Sequence, residues 1–114
     1  MSGWKIEYWY SNDKQTSSVE LFFDQLTDEQ FKAIAKELKL LELCGNTLKL
    51  PHSKPLGRGL FELRERKFGY RIYYTFAKNK IIILLHAGDK ATQKKDIKIA
   101  KERLNILEEG NHEN

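Results

Sequence analysis

Leu60-Phe61-Glu62-Leu63-Arg64-Glu65-Arg66 and Tyr70-Arg71-Ile72-Tyr73-Tyr74-Thr75-Phe76 are two alternating runs joined by Lys67-Phe68-Gly69. Period-two alternation is the pattern of half-buried strands. Phe61 and Leu63 share a face with Ile72, Tyr74 and Phe76. Glu62, Arg64 and Arg66 share the other with Arg71, Tyr73 and Thr75. A short turn at Lys67–Tyr70 makes the pair a hairpin, with Arg66 expected opposite Arg71 and Arg64 opposite Tyr73. A slip of one residue would bury an arginine among the apolar side chains, so the pattern limits the register. Like charges opposite each other repel, and something anionic over them would relieve the repulsion.

Downstream, Ile81-Ile82-Ile83-Leu84-Leu85-His86 is apolar on both faces, as a doubly covered strand is. Ala87-Gly88-Asp89-Lys90-Ala91-Thr92-Gln93 closes it. A last helix starts at Thr92 or Gln93 and runs to about Leu107. Ile97, Ala100, Leu104 and Leu107 face inward, and Lys94, Lys95, Lys98, Lys101 and Arg103 lie around its other sides. Residues 108–114 are polar and expected to fray.

Upstream, Trp4–Tyr10 alternates and reads as a first strand, followed by a polar turn over Ser11–Thr16. Ser17 and Glu20 form one capping-box pattern, and Thr27 and Gln30 a second. Val19, Phe22, Phe23 and Leu26, then Phe31, Ile34, Ala35, Leu38 and Leu41, give two successive amphipathic helices ending at Gly45. Leu50–Gly59, with two prolines and two glycines, reads as an irregular loop. The fold class is α+β: a small twisted antiparallel sheet, an N-terminal α-hairpin on one face and a C-terminal helix. Residues 1–114 form one domain.

Composition narrows the chemistry. The net charge of +4 is uneven: residues 49–103 carry fifteen Lys/Arg against five Asp/Glu, whereas residues 1–48 and 104–114 are each net −3. Such a basic face suits a polyanion or is simply solvated. No apolar run is long enough to span a membrane, no signal peptide is evident at the start, and a single cysteine, Cys44, fits a reducing cytoplasm. His52, His86, His112 and Cys44 lack metal-ligand spacing, so neither metal nor other cofactor is expected.

The remaining equipment is a set of guanidinium and ammonium groups beside a tyrosine and a histidine. It suits phosphodiester cleavage in which RNA supplies its own 2′-hydroxyl. The protein would align the phosphate, neutralise the transition state and move protons. Arg64, Arg71 and Lys90 are the catalytic candidates; Lys54, Arg58, Arg66, Tyr73, His86, Thr92 and Gln93 are candidates for holding RNA. Glu62, His86 and Lys90 are all open as the general base. Arg64 could instead pair with Glu62 or Glu65, Arg71 could be a structural strand residue, and His86 a satisfied core histidine.

Three segments carry a family resemblance: Gly59–Arg64, Tyr70–Tyr74 and Gly88-Asp89-Lys90-Ala91-Thr92-Gln93-Lys94-Lys95-Asp96-Ile97. With the Pro51–Gly57 stretch before them, they resemble the RelE/ParE toxin superfamily. The likeness is to its HigB-like, phage-derived and addiction-module killer branches. The resemblance implies an endoribonuclease toxin that cleaves mRNA, often on the ribosome, and is restrained by a cognate antitoxin of helix-turn-helix type. It matches Arg64, Arg71 and Lys90 to the family's basic residues. This chain has Leu60 and Glu62 where the RelE branch carries lysines. Two alternatives follow: a ParE-like inhibitor of a protein target such as DNA gyrase, and a degenerate antitoxin-binding module.

Overall fold

The computed structural model describes residues 3–11 and 16–112. Its elements in chain order are β1 (Lys5–Tyr8), α1 (Ser18–Asp24), α2 (Asp28–Cys44), β2 (Ser53–Gly57), β3 (Leu60–Arg64), β4 (Tyr70–Ala77), β5 (Ile81–Asp89) and α3 (Gln93–His112). One five-stranded sheet has the order β1-β5-β4-β3-β2. β2 to β5 form an antiparallel meander, and β1 joins its far edge parallel to β5. The crossover between β1 and β5 contains the rest of the sheet and both N-terminal helices. Most of the turn expected over Ser11–Thr16 lies outside the described residues.

Local signals explain the helix starts. Ser17 caps α1 by accepting from Glu20 N–H, and the Thr27–Gln30 box at α2 is closed in both directions. Gly45 ends α2 at φ 53°, the left-handed region glycine reaches without a Cβ penalty. α1 and α2 bury Val19, Phe23, Ile34 and Leu41 against Leu63, Ile72, Tyr74, Ile82 and Leu84. Phe31, expected in that stripe, is 39 % exposed, with its ring against Phe23.

α3 covers the opposite sheet face, where Leu60, Tyr73 and Leu85 meet Ala100 and Leu104. Each large apolar side chain closed off this way contributes about 2 kcal/mol. β5 is therefore covered on both sides, as its unbroken apolar run implies.

Three local expectations are corrected. Ser53–Gly57 is a strand, not irregular loop; Pro55 is tolerated because β2 is an edge strand, where a missing N–H is harmless. The last helix continues to His112, so the expected frayed tail is helical over residues 108–112. The β3–β4 register differs by two residues: Arg64, not Arg66, stands opposite Arg71, and Glu62 opposes Tyr73. Glu65 is the cause. Its buried carboxylate accepts from the N–H groups of Lys67 (2.6 Å), Phe68 (3.1 Å) and Tyr70 (3.4 Å), folding Glu65–Gly69 into the turn and removing Arg66 from the ladder.

Candidate functional site

Side chains directly opposite in antiparallel strands share a face, so the registers assemble two polar rows beneath α3. Lys54, Glu62, Tyr73 and His86 form one row across four strands. Arg64, Arg71 and Gly88 form the next, about 7 Å along. The face is not open, as the alternation alone suggested. The first turns of α3 lie over it, leaving Glu62 1 %, Arg71 3 % and Tyr73 0 % exposed.

Glu62 is the centre. Its Oε1 lies 3.6 Å from Arg64 Nε and 3.8 Å from Arg71 Nε, while Oε2 accepts from Gln93 Nε2 at 2.7 Å. One carboxylate therefore faces two guanidinium groups that would otherwise repel each other across the ladder. Arg71 also donates from Nη1 to Tyr70 O at 3.3 Å, but its Nε makes no hydrogen bond. The Tyr73 hydroxyl is likewise buried without a hydrogen-bond partner. Burial, then the charges of Glu62 and Asp96 and the closeness of the Glu62 carboxylate to the hydroxyl, push its pKa well up, so it stays a neutral phenol.

His86 anchors a second cluster. Arg103 Nη1 donates to Ser18 Oγ and Leu85 O, both at 2.6 Å, and approaches His86 Nδ1 at 3.2 Å. A guanidinium only donates, so Nδ1 must accept and the imidazole proton sits on Nε2, which donates to Asp96 Oδ1 at 2.9 Å. Burial lowers the His86 pKa, aided by the Arg103 and Lys95 charges and opposed by Asp96. Both ring nitrogens are occupied, and the ring is neutral. Asp96 also accepts from Thr92 Oγ1 at 2.5 Å. It packs so closely on β5 that a Cβ at Gly88 would stand 1.9 Å from Asp96 Oδ2.

The remaining candidates are dispersed. Lys54 is exposed on the edge strand beside Glu62. Arg66 is exposed in the β3–β4 turn. Lys90, also exposed, follows β5 at the same end of the sheet, with its side chain against Gly69. Arg58 lies in the β2–β3 turn at the other end of β3. There it lines a cleft of about 550 Å³ with Leu60, Lys101 and Leu104. Arg64 and Arg71 are thus brought together, with Lys90 at their end of the sheet and Arg58 apart from them.

A family described as "Phage derived protein Gp49-like (DUF891)" matches residues 21–105, a span holding all of these side chains except Ser18. The chain belongs to that family. An uncharacterized protein of Haemophilus influenzae is 49 % identical to the Gp49-like chain over 49 residues, 42 % of the chain. That match spans half the length of the relative. Among solved structures, a doubly substituted variant of E. coli toxin RelE in the free state superposes with a TM-score of 0.60 at 11 % identity. It covers 92 % of this chain and 98 % of that one. The Mycobacterium tuberculosis RelBE2 toxin–antitoxin complex gives 0.54 at 17 % identity, covering 77 % and 99 %. The archaeal RelE–RelB complex from Pyrococcus horikoshii gives 0.53 at 15 %, covering 77 % and 96 %. The Gp49-like chain therefore has the RelE toxin fold.

Sequence reasoning missed three groups in the Gp49-like site: Ser18, Asp96 and Arg103. Arg103, expected on the outer sides of the last helix, points to the sheet and lies 4.5 Å from the Trp9 ring. The signal was available. Asp96, Ala100 and Arg103 recur at helical spacing on the stripe that buries Leu104 and Leu107. Among the described residues, no group of three or more His, Cys, Asp or Glu side chains is placed to hold a metal ion. No helix among them is long and apolar enough to cross a membrane.

Proposed function

We propose that this Gp49-like protein is the toxin of a toxin–antitoxin pair and an endoribonuclease that cleaves mRNA without a metal, on the ribosome, in the cytoplasm. The observation that carries the reading is the pair of arginines, in register on one sheet face with a carboxylate between them. Two guanidinium groups held that way suit a phosphate, whose non-bridging oxygens take the positions a carboxylate can fill. The solved RelE toxins bound to their antitoxins support an antitoxin partner here.

In the reaction, the first turn of α3 must draw back from Glu62 and Arg71, which it covers in the free protein. Arg64 and Arg71 then hold the scissile phosphate and neutralise the charge that grows on its oxygens. Glu62, displaced from the guanidinium groups by that phosphate, accepts the proton of the 2′-hydroxyl. The 2′ oxygen bonds to phosphorus, the bond from phosphorus to O5′ breaks, and Lys90 donates a proton to O5′. The products are a 2′,3′-cyclic phosphate and a 5′-hydroxyl end. His86 is unsuited to the base's role because Arg103 and Asp96 occupy both its nitrogens. It holds α3 on the sheet.

The depth of Arg71 favours a second reading, in which the arginines are structural and the toxin binds a protein target. Expression in a bacterial host separates the two. Growth arrest with new 5′-hydroxyl ends in transcripts supports the nuclease, whereas arrest with transcripts intact and topoisomerase activity inhibited supports the other.

A further inference from the structure

The tip of the β3–β4 hairpin carries an aromatic surface that this phosphate chemistry leaves unused. Glu65, 3 % exposed, braces the turn through the three amides described above, and its own N–H donates to Tyr70 O at 2.9 Å. A turn fixed so firmly displays Phe68, 36 % exposed. The Phe68 ring lies 5.9 Å from Tyr70 at an interplanar angle of 31°. Tyr70 is in turn held edge-on by Phe22 at 5.5 Å.

Cations border the pair. Lys67 Nζ is 5.4 Å from the Phe68 centroid and shares its charge with Glu29 at 3.0 Å. Arg66 is exposed beside it, and the Lys90 side chain lies against Gly69. One exposed phenylalanine means little. A rigidly presented aromatic pair rimmed by basic side chains has the features that bind unpaired bases of a single strand.

We propose that Phe68, backed by Tyr70, is a stacking platform for one unpaired base of the RNA, adjoining the phosphate held by Arg64 and Arg71. The identity of the ligand as RNA rests on the nuclease reading. Tyr70 and Arg71 are consecutive in β4 and point to opposite sheet faces. The strand would therefore bend around the end of the sheet, base on one face and phosphate on the other, past Lys90. A duplex cannot supply a base this way, so the platform selects single-stranded RNA.

The test uses a short single-stranded RNA with 2-aminopurine as one base and every 2′-hydroxyl methylated, so that it binds without being cut. The unsubstituted protein should bind it and quench its emission by stacking. Phe68→Leu, which keeps apolar bulk but no ring, should bind about 10-fold more weakly without quenching. Phe68→Tyr should keep both properties. Equal affinity and quenching in a folded Phe68→Leu variant would overturn the platform, as would no binding by the unsubstituted protein. Phe68-dependent quenching by a protein that leaves ribosome-bound mRNA uncut would remove the nuclease reading and support the platform. Cleavage of ribosome-bound mRNA without Phe68-dependent binding of the oligonucleotide would overturn the platform and leave the nuclease reading in place.

Discussion

Arg64 and Arg71 stand directly opposite each other across β3 and β4, and the Glu62 carboxylate lies within 4 Å of both guanidinium groups. The arrangement needs all three. Two like charges in register weaken a ladder, and a carboxylate buried without a counter-ion is costly. Gln93 ties the trio to α3, so the basic pair is organised before any ligand arrives.

Glu62→Gln keeps the shape and removes the charge. The two arginines then repel without compensation, and the fold should lose about 2 kcal/mol. The figure is below that of a fully buried pair because Arg64 is partly solvated. Urea unfolding would show the loss as a lower midpoint.

His86 makes stability depend on pH with a defined sign. Its folded pKa lies below the ordinary value, so on acidification the unfolded chain takes up this proton first. The stabilisation is complete above about pH 6.5 and is lost as pH falls from there through the depressed folded value. Between pH 7 and 5 the thermal midpoint should drop, and in His86→Asn the share due to this ring should vanish.

Gly88→Ala tests the seat of α3. The new methyl would stand 1.9 Å from Asp96 Oδ2 and 2.8 Å from its Cγ, and Asp96 cannot retreat without releasing His86. The helix start must shift, costing about 2 kcal/mol. Equilibrium unfolding would measure it.

Tyr73→Phe should move stability the other way. The hydroxyl is buried and makes no hydrogen bond of normal geometry, although the Glu62 carboxylate is near enough to interact with it. Removing the hydroxyl therefore relieves a desolvation cost of about 1 kcal/mol. A raised thermal midpoint is the expected result. The ring itself is 0 % exposed and presents no open face for base stacking in the free protein.

Much of this was legible in the residues, and the gaps have physical causes. Alternation placed Glu62, Arg64, Arg71 and Tyr73 on one face because period two survives any even slip. For the same reason it could not distinguish Arg66 from Arg64 as the partner of Arg71. That choice belongs to Glu65, whose carboxylate binds turn amides only once the chain has folded. The covering of the polar face was hidden by the lysines of α3, which made the helix look solvated except for its apolar stripe. Asp96 and Arg103 sit within that stripe and carry the polar contacts to His86. Pro55 concealed β2, since proline argues against a strand except at an edge.

The proposed nuclease depends on Arg64 and Arg71 together binding the phosphate that is cut. Arg64 is the better probe, because its side chain is 31 % exposed and can be truncated with little disturbance of the core. The deciding measurement is the single-turnover rate at which purified Arg64→Ala produces 5′-hydroxyl ends on ribosome-bound mRNA, with folding checked by its thermal transition. A rate at least about 100-fold below that of the unsubstituted protein is expected. A folded variant that cuts the same sites at an unchanged rate would contradict the account.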